Sequence, residues 1–255
     1  MFSNIIFLYN ITLNPYNNIE KITEMNNMFS KDINLNFANL SNIYAPKLIS
    51  IKEIFYQAYN LNSVDFSNFN VPNLKTLSGM FYECLSLQFF KFTNFNTKNV
   101  VNMDSLFCRC ESLTSFEFSD FNTENIVNMG FMFSDCESLE FIDFSNFKTK
   151  NTKYMHSMFN YCSSLKSIDF SNFGTGNVED MSFMLSDCVS LTSIDVSNFN
   201  THNVQYMSSM FSNCELLTSI DLSNFKTKNV KSMHAMFLGC ELLTFVELSK
   251  FDTRN

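Results

Sequence analysis

The residues best equipped for chemistry in this chain are its cysteines, and most of them keep a strict interval. Cys84, Cys110, Cys136, Cys162, Cys188, Cys214 and Cys240 recur every 26 residues without an insertion or deletion. Thiols can bind zinc, pair as disulfides or attack an electrophile. Zinc sites use close pairs of the C-x-x-C kind, and none is present. Equivalent residues of stacked coils hold their Cβ vectors parallel, which is poor geometry for a disulfide. The expectation is therefore a column of buried free thiols that pack as small hydrophobes. Cys108 falls out of step, two residues before Cys110, and is expected near the coil surface.

Carboxylates form a second column. Asp65, Lys91, Glu117, Asp143, Asp169, Asp195, Asp221 and Glu247 hold one repeat position, and all but Lys91 are acidic. Like charges about 4–5 Å apart repel by roughly 1 kcal/mol even in water, so a choice made for folding alone would not favour them. Two readings stay open: a negative strip that draws a basic partner or cations, or a solvated face kept polar against aggregation. One row of monodentate carboxylates lacks the ligands of a tight Ca²⁺ site. Beside this column Phe89, Phe141 and Phe245 replace the usual Ser. These rings are candidate exposed anchors, or they pack on their neighbours. Ser67, Ser119, Ser145, Ser171, Ser197, Ser223 and Ser249 follow the column, with Asn68, Asn146, Asn172, Asn198 and Asn224 beside them. Sugars or peptides could bond to these residues, but satisfying backbone at strand ends is the favoured role.

Catalysis finds little support. His156 and His234 share a repeat position but lie three coils apart, about 14 Å at strand spacing. No nucleophile–base–acid set and no phosphate loop occurs. Met103, Met129, Met155, Met181, Met207 and Met233 read as core, not as a copper site. The expectation is no enzymatic activity and no cofactor or metal. A formal net charge of −8 leaves no basic stripe for nucleic acid.

The elements that must position these columns follow from the repeat itself. Each unit opens on alternating residues, as in Leu191-Thr-Ser-Ile-Asp-Val196, a strand with Ile194 and Val196 on one side. A Phe ladder follows: Phe69, Phe95, Phe121, Phe147, Phe173, Phe199, Phe225 and Phe251, read as stacked rings at a corner. Thr-x-Asn comes next, from Thr97/Asn99 to Thr227/Asn229, then Val204, Met207, Met210, Phe211 and Cys214 in the reference unit. Their spacing matches one face of a short helix, with Thr or Asn as its N-cap. Parallel strands stack at about 4.8 Å and helices at about 8–10 Å, so the strands are expected on the inner side of a curve.

The unit S-N-F-N-T-x-N-V-x-x-M-x-x-M-F-x-x-C-x-x-L, with its L-x-x-[IVF]-x-[FLV]-x-x-F opening, resembles the BspA-like leucine-rich repeat surface proteins. It is especially similar to the mycoplasma-type lipoprotein-associated repeat family, over residues 35–255. The resemblance implies an α/β repeat solenoid: a curved, right-handed, leucine-rich-repeat-like coil with parallel strands on the concave face and short helices on the convex face. It further implies a cell-surface or extracellular adhesin-like binding protein, not an enzyme. The implied partner is a protein of host or extracellular-matrix origin, or a glycan.

Residues 1–34 form a degenerate unit with Asp32 at the cysteine position, expected to act as a capping repeat. Residues 35–255 are the tandem repeats, the last one truncated. The opening MFSNIIFLYNITLNPY carries no basic start, cleavage site or lipid-attachment cysteine, and no apolar run reaches membrane-span length. An intracellular interaction scaffold is therefore the alternative to a surface protein.

Overall fold

A computed structural model of the chain describes residues 4–5, 8–13, 19–91, 95–117, 121–144 and 146–252, with the side chains of Lys91 and Glu117 not described. Ser119, Ser145 and parts of both termini, on which some of the expectations above fall, lie outside these residues.

The chain winds into a parallel β-solenoid, one coil per repeat. Its strands are β1 (Asn10–Thr12), β2 (Phe37–Asn39), β3 (Ser63–Asp65), β4 (Phe89–Lys91), β5 (Ser115–Glu117), β6 (Phe141–Ile142), β7 (Ser167–Ile168), β8 (Ser219–Asp221) and β9 (Phe245–Glu247). All pair in parallel, and the register steps by one repeat, as in Phe90↔Phe116 and Ile142↔Ile168, except between β1 and β2, where Asn10↔Phe37 is one residue longer. The ladder is broken into four sheets, β1-β2-β3, β4-β5, β6-β7 and β8-β9. Alternation sends Ile142, Ile168 and Ile220 into the core and leaves the flanking residues outward.

The side across the core corrects the expectation of short helices. Among the described residues there is no helix. Parallel bridges run instead without a break from Glu24↔Ser50 through Asn128↔Tyr154 to Tyr206↔Ser232. After each bridge the backbone follows an alternating rule. In one coil the N–H groups of Met103, Ser105, Phe107 and Arg109 donate to the carbonyls of Asn128, Gly130, Met132 and Ser134 in the next. Those of Leu106, Cys108 and Cys110 close turns onto Met103, Ser105 and Phe107 within the coil. Every second donor thus leaves the coil and every second one stays, which satisfies the backbone in a form an α-helix cannot share. The spacing misled because a run of three-residue turns also brings Met103, Leu106, Phe107 and Cys110 to one buried face. With β-type ladders on both sides, the helix-based reason for a concave strand side falls away.

The turns require left-handed backbone at two positions per coil. One set runs Asn27, Glu53, Gly79, Ser105, Phe131, Ser157, Phe183, Ser209 and Ala235; the other includes Arg109, Asp135, Tyr161 and Asp187. Few of these are glycine, although a left-handed L-residue costs roughly 1–2 kcal/mol.

Aromatic rings fill the coil in two stacks. Phe29, Phe55, Phe81, Phe107, Phe133 and Phe159 follow one another at centroid separations of 5.4–5.8 Å. The expected corner ladder is present too, with Phe69–Phe95 at 5.5 Å and Phe225–Phe251 at 6.5 Å. All eight cysteines are free thiols, and the in-register ones are buried as expected except Cys240, which is half-buried in the last coil. Each in-register thiol donates to a carbonyl of the coil before it, as Cys110 does to Phe81 at 3.1 Å and Cys136 to Phe107 at 3.2 Å. Cys108 is not near the surface: it is buried, and burial pushes its thiol up to about 12.

Candidate functional site

The strand side carries every residue singled out for binding. Asp65, Glu117, Asp221 and Glu247 close β3, β5, β8 and β9, while Asp143 and Asp169 directly follow β6 and β7. Asp195 lies on a segment outside the strands, between β7 and β8. Asp143, Asp169, Asp195 and Asp221 are exposed; Asp65 and Glu247 are half-buried.

The carboxylates have a role that neither reading of the column supplied. Asp65, Asp169, Asp195 and Asp221 each accept the N–H of the residue two places on, at 2.8–2.9 Å, and Glu247 accepts that of Ser249 at 2.8 Å. A short acceptor two residues before a bend closes an Asx turn. The Ser171 and Ser223 N–H groups hold Asp169 and Asp221 below the usual carboxylate range, and the Ser197 hydroxyl and N–H do so for Asp195. Repulsion from Asp195 pushes Asp169 and Asp221 the other way and is the smaller effect. Local hydrogen bonding is why the fold tolerates a like-charged column. Between two of its members lies a recess of about 190 Å³ lined by Asp169, Ser171, Asp195, Ser197 and Asn198, below the range of small-molecule sites.

Phe89, Phe141 and Phe245 stand outward, 47%, 58% and 57% exposed. They open β4, β6 and β9 opposite Ser115, Ser167 and Ser219. Phe89 and Phe141 are two coils apart, about 10 Å at strand spacing, and Phe245 is four coils further. The rings therefore share a face without forming one cluster. The Lys166 ammonium lies 5.7 Å from the Phe141 centroid and pairs with Glu140 at 2.6 Å.

The remaining polar ladders serve the backbone. Asn198 donates to Phe170 O at 2.7 Å, and Asn224 to Ser197 O at 2.6 Å. Thr-x-Asn caps no helix. Buried Thr175 donates to Asn200 O at 3.2 Å while its hydroxyl accepts Asn200 N–H at 2.7 Å, and Thr201 and Thr227 repeat this with Lys226 and Asp252. Asn125, Asn151 and Asn177 donate to Lys98, Glu124 and Lys150 carbonyls at 2.8 Å. A larger recess, about 510 Å³, runs along these asparagines, but their amides are already engaged.

Residues that the sequence reading passed over lie on the turn side. Phe131, Phe183, Tyr154, Tyr161 and Tyr206 are exposed there. Their signal was available as departures from the repeat, because the equivalent positions of other coils hold mostly small or polar residues. Among the described residues no group of His, Cys, Asp and Glu could hold a metal ion, and no helix is long and apolar enough to cross a membrane.

Comparison with known proteins places the repeat in context. A family model described as "Mycoplasma protein of unknown function, DUF285" matches residues 1–89, 86–193 and 166–255, which together span the chain. No curated protein matches. Among solved structures, a leucine-rich repeat protein from Bacteroides ovatus aligns over 96% of this chain and 68% of its own, at 19% identity and a TM-score of 0.54. A leucine-rich cell surface protein from Faecalibacterium prausnitzii aligns over 97% and 80%, at 13% identity and a TM-score of 0.40. A leucine-rich repeat protein from Eubacterium ventriosum aligns over 97% and 91%, at 12% identity and a TM-score of 0.42.

Proposed function

We propose that this chain, which belongs to the DUF285 family of mycoplasma-type repeat proteins, is a non-enzymatic binding solenoid displayed at the cell surface, meeting a protein partner through its strand side. The observation that carries the reading is the exposure of Phe89, Phe141 and Phe245 on a regular ladder where Ser63, Ser115, Ser167, Ser193 and Ser219 stand in other coils and Phe37 is half-buried. Aromatic side chains held rigidly at a surface are the usual anchors of protein interfaces. The neighbouring carboxylates add steering for a basic partner. Their turn-closing role does not compete with this, because one oxygen serves the backbone and the charge remains. Support for a leucine-rich-repeat-like scaffold comes from the Bacteroides ovatus protein. Residues 1–34 act as the capping unit in this reading. Asp32 is buried in the cysteine column, accepts the Ile5 N–H at 2.5 Å, and has its carboxyl pushed above the usual range, chiefly by burial.

Site-specific photo-crosslinking tests the interface. A photoreactive residue at Phe141 should capture a partner from intact cells, and one at exposed Lys98 should not; no adduct from any strand-side position would overturn the proposal. Protease treatment of intact cells should remove the protein. Full protection would instead favour an intracellular scaffold. With a captured partner in hand, Asp169→Asn, Asp195→Asn and Asp221→Asn together should weaken binding and flatten its salt dependence. Unchanged binding would leave the column with its turn-closing role alone.

A further inference from the structure

The turn side departs from the repeat over four successive coils. At one left-handed position the chain places Ser105, Phe131, Ser157, Phe183 and Ser209 in turn, with φ near 53° at Phe131 and 57° at Phe183. At the bridge position it places Asn128, Tyr154, Asp180, Tyr206 and Ser232. Phe131, Phe183, Tyr154 and Tyr206 are each 37–44% exposed. Neighbouring coils show that Ser and Asn satisfy the fold at these sites. Bulky side chains are rare in left-handed backbone, and strain kept at a surface position points to a use beyond folding. The rings are linked: Phe131 meets His156 edge-on at 5.1 Å, and His156 lies 6.4 Å from Tyr154.

Charge selects the occupant. Asp180 is bridged through its backbone to both Tyr154 and Tyr206, so an acidic residue holds the position between two exposed Tyr residues. Of the cations beside these rings, Lys153 is paired with Glu179 at 2.9 Å, and Lys231 donates to neutral Gln205 at 2.7 Å. Lys231 also lies 5.7 Å from the Tyr206 centroid, so the chain itself seats an ammonium on one of these rings. Ring faces and carboxylates both attract cations, and the net charge of −8 brings such partners in.

We infer that the aromatic face formed by Phe131, Tyr154, His156, Phe183 and Tyr206 around Asp180 is a docking surface for a Lys- or Arg-bearing segment of a partner protein. It lies across the core from the strand side and acts independently of it.

The test uses a fluorescein-labelled Arg–Gly repeat peptide followed by fluorescence anisotropy. Phe131→Ser, Phe183→Ser, Tyr154→Asn and Tyr206→Ser together install the residues of neighbouring coils, so thermal stability should hold or rise. Affinity should fall by about tenfold or more. Asp180→Asn keeps the turn, since Asn128 accepts Gly130 N–H at 2.9 Å as Asp180 accepts Ser182 N–H at 2.8 Å. It should weaken binding by about three- to fivefold and reduce the salt dependence. If the fourfold variant fails to fold, Asp180→Asn decides. Substitution of Asp169, Asp195 and Asp221 by Asn should leave this binding unchanged, and a citrulline-for-arginine peptide should bind weakly. Unaltered affinity in the variants, equal loss on the strand side, equal binding of the citrulline peptide, or binding of a neutral oligosaccharide instead would each overturn the proposal.

Discussion

Two threonines show how one residue type takes opposite energetic roles at neighbouring positions of the repeat. Thr175 exchanges hydrogen bonds in both directions with Asn200 of the next coil. Thr152 occupies the column of Val100, Ile126, Val178 and Val204, and donates to the Ile126 carbonyl at 3.0 Å. Thr175→Val should therefore destabilise by about 1–3 kcal/mol, because it strands a donor and an acceptor. Thr152→Val should be neutral or slightly stabilising; urea unfolding of both variants checks the contrast. The thiol column gives a second expectation. Burial pushes Cys84, Cys136 and Cys188 well above the ordinary thiol range, so these groups stay protonated in the folded state. Thiol reagents should react with these three only on unfolding, while half-buried Cys240 reacts earlier. The sign for pH is fixed by the raised values: the contribution is whole below the unfolded thiol pKa of about 8.5 and is lost as pH rises above it. Thermal melts from neutral to alkaline pH should show that loss.

The turn run is the element that distinguishes this solenoid. Its geometry asks for left-handed backbone at positions mostly filled by residues other than glycine. Ser105→Gly should be neutral or stabilising by up to about 1 kcal/mol, since relief of left-handed strain is offset by a more flexible unfolded chain. Gly79→Ala should destabilise by about 1–2 kcal/mol, because φ is +58° and the added Cβ meets Glu53 Cγ at 3.0 Å. Chemical denaturation reads both. The helix expected here was a reasonable inference from Met103, Leu106, Phe107 and Cys110. Apolar spacing reports which residues face the core, and both an α-helix and a run of three-residue turns satisfy it. What decides is the destination of alternate N–H groups, and that is set by the neighbouring coil.

At the scale of the whole molecule, stability is a sum over identical interfaces. Backbone bridges, Phe stacking and thiol-to-carbonyl bonds all join a residue to a partner in the adjacent coil. Removing residues 165–190, one whole repeat, should leave a folded, shorter solenoid with a lower melting temperature. Removing residues 165–189 should lower it further and split the melt into two steps, because every column then slips by one residue at the single new junction while the coils on either side keep their own register. Circular dichroism during heating distinguishes the two, and neither spectrum should carry the helical minima.

The 26-residue interval by itself determined the stacking, the register, the corner Phe ladder and the column of free thiols. Each follows from applying one period to one unit, which needs no knowledge of neighbours beyond their identity. Tertiary structure decided what the local pattern left degenerate: turns in place of helices, the burial of Cys108, and the engagement of Thr175, Asn198 and the acidic column on backbone groups. Those outcomes depend on which donors and acceptors lie one coil away, and spacing along a single coil does not specify them. The aromatic cluster around Asp180 belongs to the same class, since residues 131, 154, 180 and 206 become neighbours only when four coils are stacked.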